Sequence, residues 1–377
     1  MLWDKIKGQR GAVNYLRQSI KKERVVSSYL FHGPEGVGKT LTASVFARAL
    51  NCRIAPGDGC GSCPDCRDIE RGSHPDVLFQ APSSKSRLIV VQQIRQLQKM
   101  VYLQARRDNW KVFVIKEADR MNINAQNAFL KTLEEPPEKT ILILVTHQPE
   151  LLLPTIRSRC QSVSFSPWPF EMMKPFLMEK LGRGEAECYM LHCISGGSPG
   201  RALRLSRERI LEIRRQLIGP ILEGRFLSAA EVISRVKSWL DYLTERSRSL
   251  SDELAANRAD WEDALDPAQR KEWEERDDAK VAARERAELE MIFELIFSWI
   301  RDLFIYHEVG LEAHLINQDL AERIKAEESN RSVAQLHRMM EWVEKSRRLA
   351  VKASARTTRQ LIFENMLIQL GYWRPNS

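Results

Sequence analysis

A chain of 377 residues, 43% of them hydrophobic, can bury more than one core, so two or three domains are expected. Its formal net charge of +8 lies in a chain with 29% charged residues, which suits a nucleic-acid or acidic partner without requiring one. Met1–Lys5 opens without a signal-peptide core, and the greasiest stretch, Leu289–Ile300, is broken by Glu290, Glu294 and Ser298, so a soluble, cytoplasmic chain with no membrane contact is expected.

The first 165 residues alternate short apolar runs with helical stretches. Strand character appears at Tyr29–His32, Val77–Phe79, Val112–Ile115, Ile141–Thr146 and Val163–Phe165, and helical spacing at Leu41–Asn51, Leu88–Leu103 and Ala125–Glu134. Such alternation predicts a parallel sheet with helices on both faces and a ligand site at the carboxyl ends of the strands.

After the first strand comes Gly33-Pro34-Glu35-Gly36-Val37-Gly38-Lys39-Thr40, which matches the phosphate-binding loop G-x-x-x-x-G-K-[ST] between a strand and a helix. Backbone N–H groups of such a loop wrap phosphates, Lys39 supplies charge to the β- and γ-phosphates, and the Thr40 hydroxyl ligates Mg²⁺. ATP or ADP is the expected ligand.

Beyond the following helix, Cys52, Cys60, Cys63 and Cys66 form C-x7-C-x2-C-x2-C, with Gly57, Gly59, Gly61, Pro56 and Pro64 supplying turns. Four thiolates suit a tetrahedral, structural Zn²⁺ with no open position. An odd total of seven cysteines fits a reducing compartment better than a disulfide framework. His74 is read as a loop residue, and Cys160, Cys188 and Cys193 as core or motif residues.

The third strand ends in Lys116-Glu117-Ala118-Asp119. Here a metal-holding Asp followed by a water-orienting Glu is normal, so Lys116 occupies the Asp place and Glu117 the Glu place. A lysine repels Mg²⁺, so nucleotide binding without intrinsic ATPase activity is expected. Asp119 could restore the ligand only if the strand slipped register, which would flip its faces. After Pro167-Trp168-Pro169 the pattern is helical, with loops near Gly219-Pro220, Leu265-Asp266-Pro267 and Gly310. Glu245–Glu288 interleaves both charges and is read as an exposed helical hairpin or extended helix.

Several segments carry a resemblance that spans nearly the whole chain: Gly8-Gln9, Tyr29–Pro34, Asn127–Pro137 (NAFLKTLEEPP), Thr155–Cys160, Gly197–Ala202, and Ala353–Leu370 with Glu364. Together they resemble the clamp-loader branch of the AAA+ family, most closely its bacterial delta-prime members. The resemblance implies an α/β AAA+ P-loop domain over 1–167 with a zinc module inserted at about 52–66. An all-α lid over 168–207 and an all-α collar over 208–377, holding the charged segment 245–288, would complete the chain.

It further implies that Arg159 points into a neighbouring subunit's nucleotide site as a trans arginine finger, that Thr146 resembles sensor 1, and that Arg201 resembles sensor 2. Implied partners are other clamp-loader subunits in a hetero-oligomer, the sliding clamp, and primed DNA reached through the complex, within a DNA polymerase (nucleotidyltransferase) holoenzyme. Two alternatives stand beside this. One is an ATP-hydrolysing motor subunit of the gamma/tau type, favoured by the intact Gly33–Thr40 loop and Glu117. The other is a zinc-dependent DNA-binding protein that touches DNA through Arg106, Arg107 and Trp110.

Overall fold

A computed structural model describes residues 2–82, 88–107, 110–207, 210–214, 219, 228–259, 266–310, 315–328, 331–353 and 355–371. The chain divides into two compact units, one of Met1–Met172 with Gly197–Arg201, the other of Met173–Gly196 with Ala202–Ser377. None of its described helices is long and apolar enough to cross a membrane.

The first unit is a parallel five-stranded sheet in the order β2-β3-β4-β1-β5. Its strands are β1 (Ser28–His32), β2 (Val77–Gln80), β3 (Lys111–Ile115), β4 (Thr140–Thr146) and β5 (Gln161–Ser164). The inner strands β3 and β4 are buried along their whole length, as a sheet covered on both faces requires. Side chains alternate between the two faces with period two. Tyr29, Phe31, Val112, Val114, Ile141 and Ile143 belong to one core cluster, which also holds Leu16, Phe46 and Ile69. Leu30, Phe113, Ile115, Leu142 and Leu144 belong to the other, with Leu97, Phe129 and Ile156.

The helices that supply those residues are α1 (Arg10–Lys21), α2 (Lys39–Asn51) and α3 (Pro64–Arg71) on the first face, and α4 (Val91–Tyr102), α5 (Ile123–Glu134) and α6 (Pro154–Arg159) on the second. Their ends have local causes. Asn122 caps α5 by accepting the Ala125 N–H at 2.8 Å. Lys111, buried at the start of β3, donates to the Val101 and Leu103 carbonyls that terminate α4. Helix α4 starts at Val91 rather than Leu88, because Ile89 bridges to Met121 and Asn122 donates its N–H to the Ile89 carbonyl.

The second unit is helical in every described element: α7 (Phe170–Leu181), α8 (Glu185–Ser195), α9 (Pro199–Arg207), α10 (Ile210–Ile213), α11 (Ala229–Ala259), α12 (Pro267–Val309), α13 (Ala321–Glu328), α14 (Val333–Lys352) and α15 (Arg356–Gln369). Helices α7 and α9 each begin in the first unit and continue into this one. An aromatic centre joins α11, α12 and α15, where Phe363 stacks on Phe293 at 5.1 Å and meets the edge of Trp239 at 5.2 Å. The described part of the charged segment lies in α11 and α12, and Glu288, fully buried, accepts from Arg246 at 3.1 Å and Arg284 at 2.7 Å. The expected turns at Pro220 and Leu265 lie outside the described residues. Gly310, at φ +66°, closes α12 by donating its N–H to the Tyr306 carbonyl.

Candidate nucleotide site and cysteine cluster

Strands β1, β3 and β4 deliver their carboxyl ends to one edge of the sheet, and a cavity of about 320 Å³ opens there. It is lined by Glu35, Gly36, Gly38, Lys39, Thr40 and Leu41 from the loop and α2, by Lys116 and Glu117 after β3, and by Val145, Thr146 and His147 at the end of β4. Gly38 stands at φ +109° immediately before α2, a backbone state that side chains resist, and a Cβ there would meet open space. That open approach fits phosphate oxygens reaching the loop and the first N–H groups of α2.

Lys39 is largely buried, and its ammonium donates to the Gly33 carbonyl and to the Pro34 carbonyl at 2.6 Å. Burial lowers its pKa to about 8, against the opposing pull of Glu35 and Asp119. His32, at the end of β1, is also lowered, first by burial and then by the charge of Lys39.

Two further segments hold the loop in shape. Gln9 is buried, and its amide donates to the Ser166 carbonyl at 2.7 Å and the Val37 carbonyl at 3.3 Å while accepting the Ser166 N–H at 3.1 Å. The Gly197–Arg201 turn docks on Gly36: the Ser198 hydroxyl donates to the Glu35 carbonyl at 2.6 Å, and the Gly200 N–H to the Gly36 carbonyl at 3.0 Å. Gly36 has φ +78°, and a Cβ there would sit 2.5 Å from the Ser198 oxygen and 2.8 Å from the Arg201 nitrogen. Arg201 is thereby brought beside the loop by its backbone.

Lys116 follows β3, its N–H donating to the Gln80 carbonyl at 2.8 Å and its ammonium lying 5.4 Å from the centre of the Phe79 ring. Glu117 takes the left-handed conformation at φ +50° and pairs with Arg120 at 2.7 Å. This turn corrects one step of the sequence argument. Asp119 comes beside the site with no register slip, though it does not line the cavity: its carboxylate accepts from the Thr146 hydroxyl at 2.5 Å and lies 3.5 Å from His147. A single-turn 3₁₀ segment, Ala118–Arg120, carries it there.

Arg159 lies elsewhere. β1 and β5 run parallel with Tyr29 opposite Gln161, so Arg159 sits at the amino end of the sheet and the phosphate loop at the carboxyl end. Four paired residues separate the two ends by roughly 13 Å. Its guanidinium is partly exposed, donates to the Thr155 carbonyl at 3.1 Å and pairs with Glu134 at 2.5 Å.

Cys52, the C-cap of α2, joins Cys60, Cys63 and Cys66, whose sulfurs all lie within 4.8 Å of one another. In a tetrahedral Zn²⁺ site with bonds of about 2.3 Å, sulfurs lie roughly 3.8 Å apart, and Cys52 and Cys63 are 4.0 Å apart. Backbone N–H groups aim at the sulfurs: those of Ala55 and Cys60 at Cys52, of Ser62 and Cys63 at Cys60, and of Cys66 at Cys63. Hydrogen bonds from Ser62, side chain first, hold the Cys60 thiol down at about 5, whereas burial pushes Cys66 up to about 12. The donor set fits a structural Zn²⁺, which would cross-link α2 to α3 and catalyse nothing.

His74 lies in the loop before β2, as expected. It is buried, its Nδ1 accepts the Asp76 N–H at 3.1 Å, and its Nε2 faces Asp65 at 3.4 Å, so it is no metal ligand. Arg107 binds Asp65 at 2.7 Å and Asp68 at 2.9 Å, while Asp76 accepts the backbone N–H groups of Arg106 and Arg107. Trp110 packs against the first core cluster. Arg107 thus ties the cysteine segment to the chain that leads into β3 through Asp65 and Asp68. Cys160 and Cys188 are buried, and Cys193 is half-buried.

Family models described as "DNA polymerase III, delta subunit" and "DNA polymerase III, delta subunit, C terminal" match residues 8–169 and 256–371. DNA polymerase III subunit delta' of Pseudomonas aeruginosa is 39% identical over 51% of this chain and 59% of its own length. The delta' subunit of Bacillus subtilis is 37% identical over 46% of this chain and 52% of its own length. The tau subunit of Bacillus subtilis is 31% identical over 88% of this chain and 54% of its own length. The chain therefore spans little more than half the length of these curated relatives.

Proposed function

Because this chain belongs, through residues 8–169 and 256–371, to the DNA polymerase III delta-subunit family, we propose that it serves as a delta-prime-like subunit of a cytoplasmic clamp loader. In this reading it assembles with other clamp-loader subunits and helps place the sliding clamp on primed DNA. It holds ATP or ADP without turning it over, keeps a structural Zn²⁺ at Cys52, Cys60, Cys63 and Cys66, and donates Arg159 to a neighbour. The division into 1–167, 168–207 and 208–377 belongs to the same proposal.

The observation that carries it is the position of Arg159, partly exposed at the edge of the sheet opposite its own phosphate loop. A guanidinium there is out of reach of the chain's own γ-phosphate but open to another subunit. Donated in trans, such a group is worth about 10³–10⁵ in rate. The test is ATPase activity of the reassembled complex with wild-type chain or Arg159→Ala. A loss of at least about a hundredfold is expected, and unchanged turnover would remove the trans-finger role.

A second reading has specific support. The tau relative matches 88% of this chain and Glu117 borders the cavity, as an ATP-hydrolysing motor would have it. Turnover by the isolated chain that disappears in Lys39→Ala would establish that reading in place of the first.

A further inference from the structure

Two lysines line the phosphate cavity, Lys39 from the loop and Lys116 from the end of β3. Where a phosphate site works through a divalent cation, the residue at the end of this strand is a carboxylate that holds the ion. Lysine there changes the local charge by two units in the direction that repels metal and attracts phosphate. Of the acids of the same turn, Glu117 is paired with Arg120, and Asp119, which accepts from Thr146, does not line the cavity. Among the described residues, the neighbour of the Lys116 ammonium is the Phe79 ring, and the side chain is half-buried. A cation resting on an aromatic face is held weakly and stays available to an anion.

We propose that Lys116 stands in for the metal, so that the pocket takes a nucleoside di- or triphosphate in its magnesium-free form, the ammonium meeting phosphate oxygens that Mg²⁺ would otherwise bridge. This inference rests on the nucleotide-site reading above. Magnesium then acts as a competitor, because it chelates the oxygens that Lys116 would contact.

Isothermal titration of the full chain with ADP and ATP, in excess EDTA and in excess Mg²⁺, tests this. The wild type should bind at least as tightly in EDTA as in Mg²⁺. Lys116→Gln should lose roughly ten- to a hundredfold in EDTA, the value of one charge-assisted hydrogen bond. Lys116→Asp should reverse the preference and bind only with Mg²⁺. Wild-type binding that requires Mg²⁺, or an unchanged affinity of Lys116→Gln in EDTA, would overturn the inference and leave the nucleotide site standing. No binding by folded wild type in either condition would defeat the nucleotide site itself, and the inference with it.

Discussion

The two sites of the first unit share one helix and differ in how far their parts must travel to meet. Helix α2 begins at Lys39 in the phosphate loop and is capped at its other end by Cys52, about 20 Å away for its 13 residues. The cysteine cluster draws its four sulfurs from fifteen consecutive residues and takes its N–H donors from the same stretch. The nucleotide pocket is lined by the loop, the turn after β3 and the end of β4, with the loop held in turn by Gln9 and the Ser198 turn. A local site is written in spacing, whereas a dispersed one exists only once the fold has formed.

Breaking the local site should have the largest effect. Cys63→Ser removes one thiolate ligand while leaving a hydroxyl that can still cap α3 by accepting the Cys66 N–H, so the variant isolates the metal site from the cap. The expected cost is about 3 kcal/mol or more with loss of bound zinc, since metal binding at such a site is folding free energy. Thermal unfolding with metal analysis checks it, and retained zinc with an unchanged midpoint would mean that the cluster is not a metal site.

The dispersed site should break at its tightest approach. Gly36→Ala puts a Cβ against Ser198 and Arg201 at a positive φ, for an expected loss of about 1–3 kcal/mol. Phosphate affinity should fall with it, which titration of ADP against the variant would measure. Gln9→Ala should cost about 1–3 kcal/mol by removing the buried amide's bonds to the Val37 carbonyl and the Ser166 backbone. Denaturant unfolding reads this directly, and a cost near zero would show that water replaces the amide.

The smallest effect is in pH. Free Lys39 has a pKa of about 8, lowered chiefly by burial, and a bound phosphate restores its charge. Binding should therefore take up a proton above about pH 8, and affinity should fall as pH rises through that value. Between about 8 and 10.5 the unfolded chain holds more protons than the folded one, so stability of the free protein should rise with pH across the same window. Titration at pH 9 in two buffers of different ionisation enthalpy would detect the uptake.

The same contrast explains what could be read from the sequence. Strands β1, β3 and β4 were legible because a sheet buried on both faces needs continuous apolar runs, and TILILVT at Thr140–Thr146 is one. The largely exposed edge strand β5 lies at Gln161–Ser164 and only overlaps the expected Val163–Phe165. The phosphate loop and the cysteine spacing were legible because each is contiguous. The pairing of Arg107 with Asp65, 42 positions earlier, carries no signal in the local sequence. Asp119 was set aside because a straight strand would not deliver it, yet Glu117 turns left-handed and swings it to Thr146. Gln9 offered only a two-residue match, and its amide bonds to Val37 and Ser166 depend on the folded sheet.

The Ser198 hydroxyl meets the Glu35 carbonyl across 163 positions of chain. During synthesis, the loop at residues 33–40 leaves the ribosome long before the turn that clamps it, so the nascent sheet can form while its phosphate cradle is still held on one side only. The first unit is thus discontinuous, finishing at Gly197–Arg201 after an excursion through Met173–Gly196. A fragment cut at residue 169, where the family match ends, would keep every strand but lose the donors to Glu35 and Gly36. A cut after Arg207, the last residue of α9, would retain them.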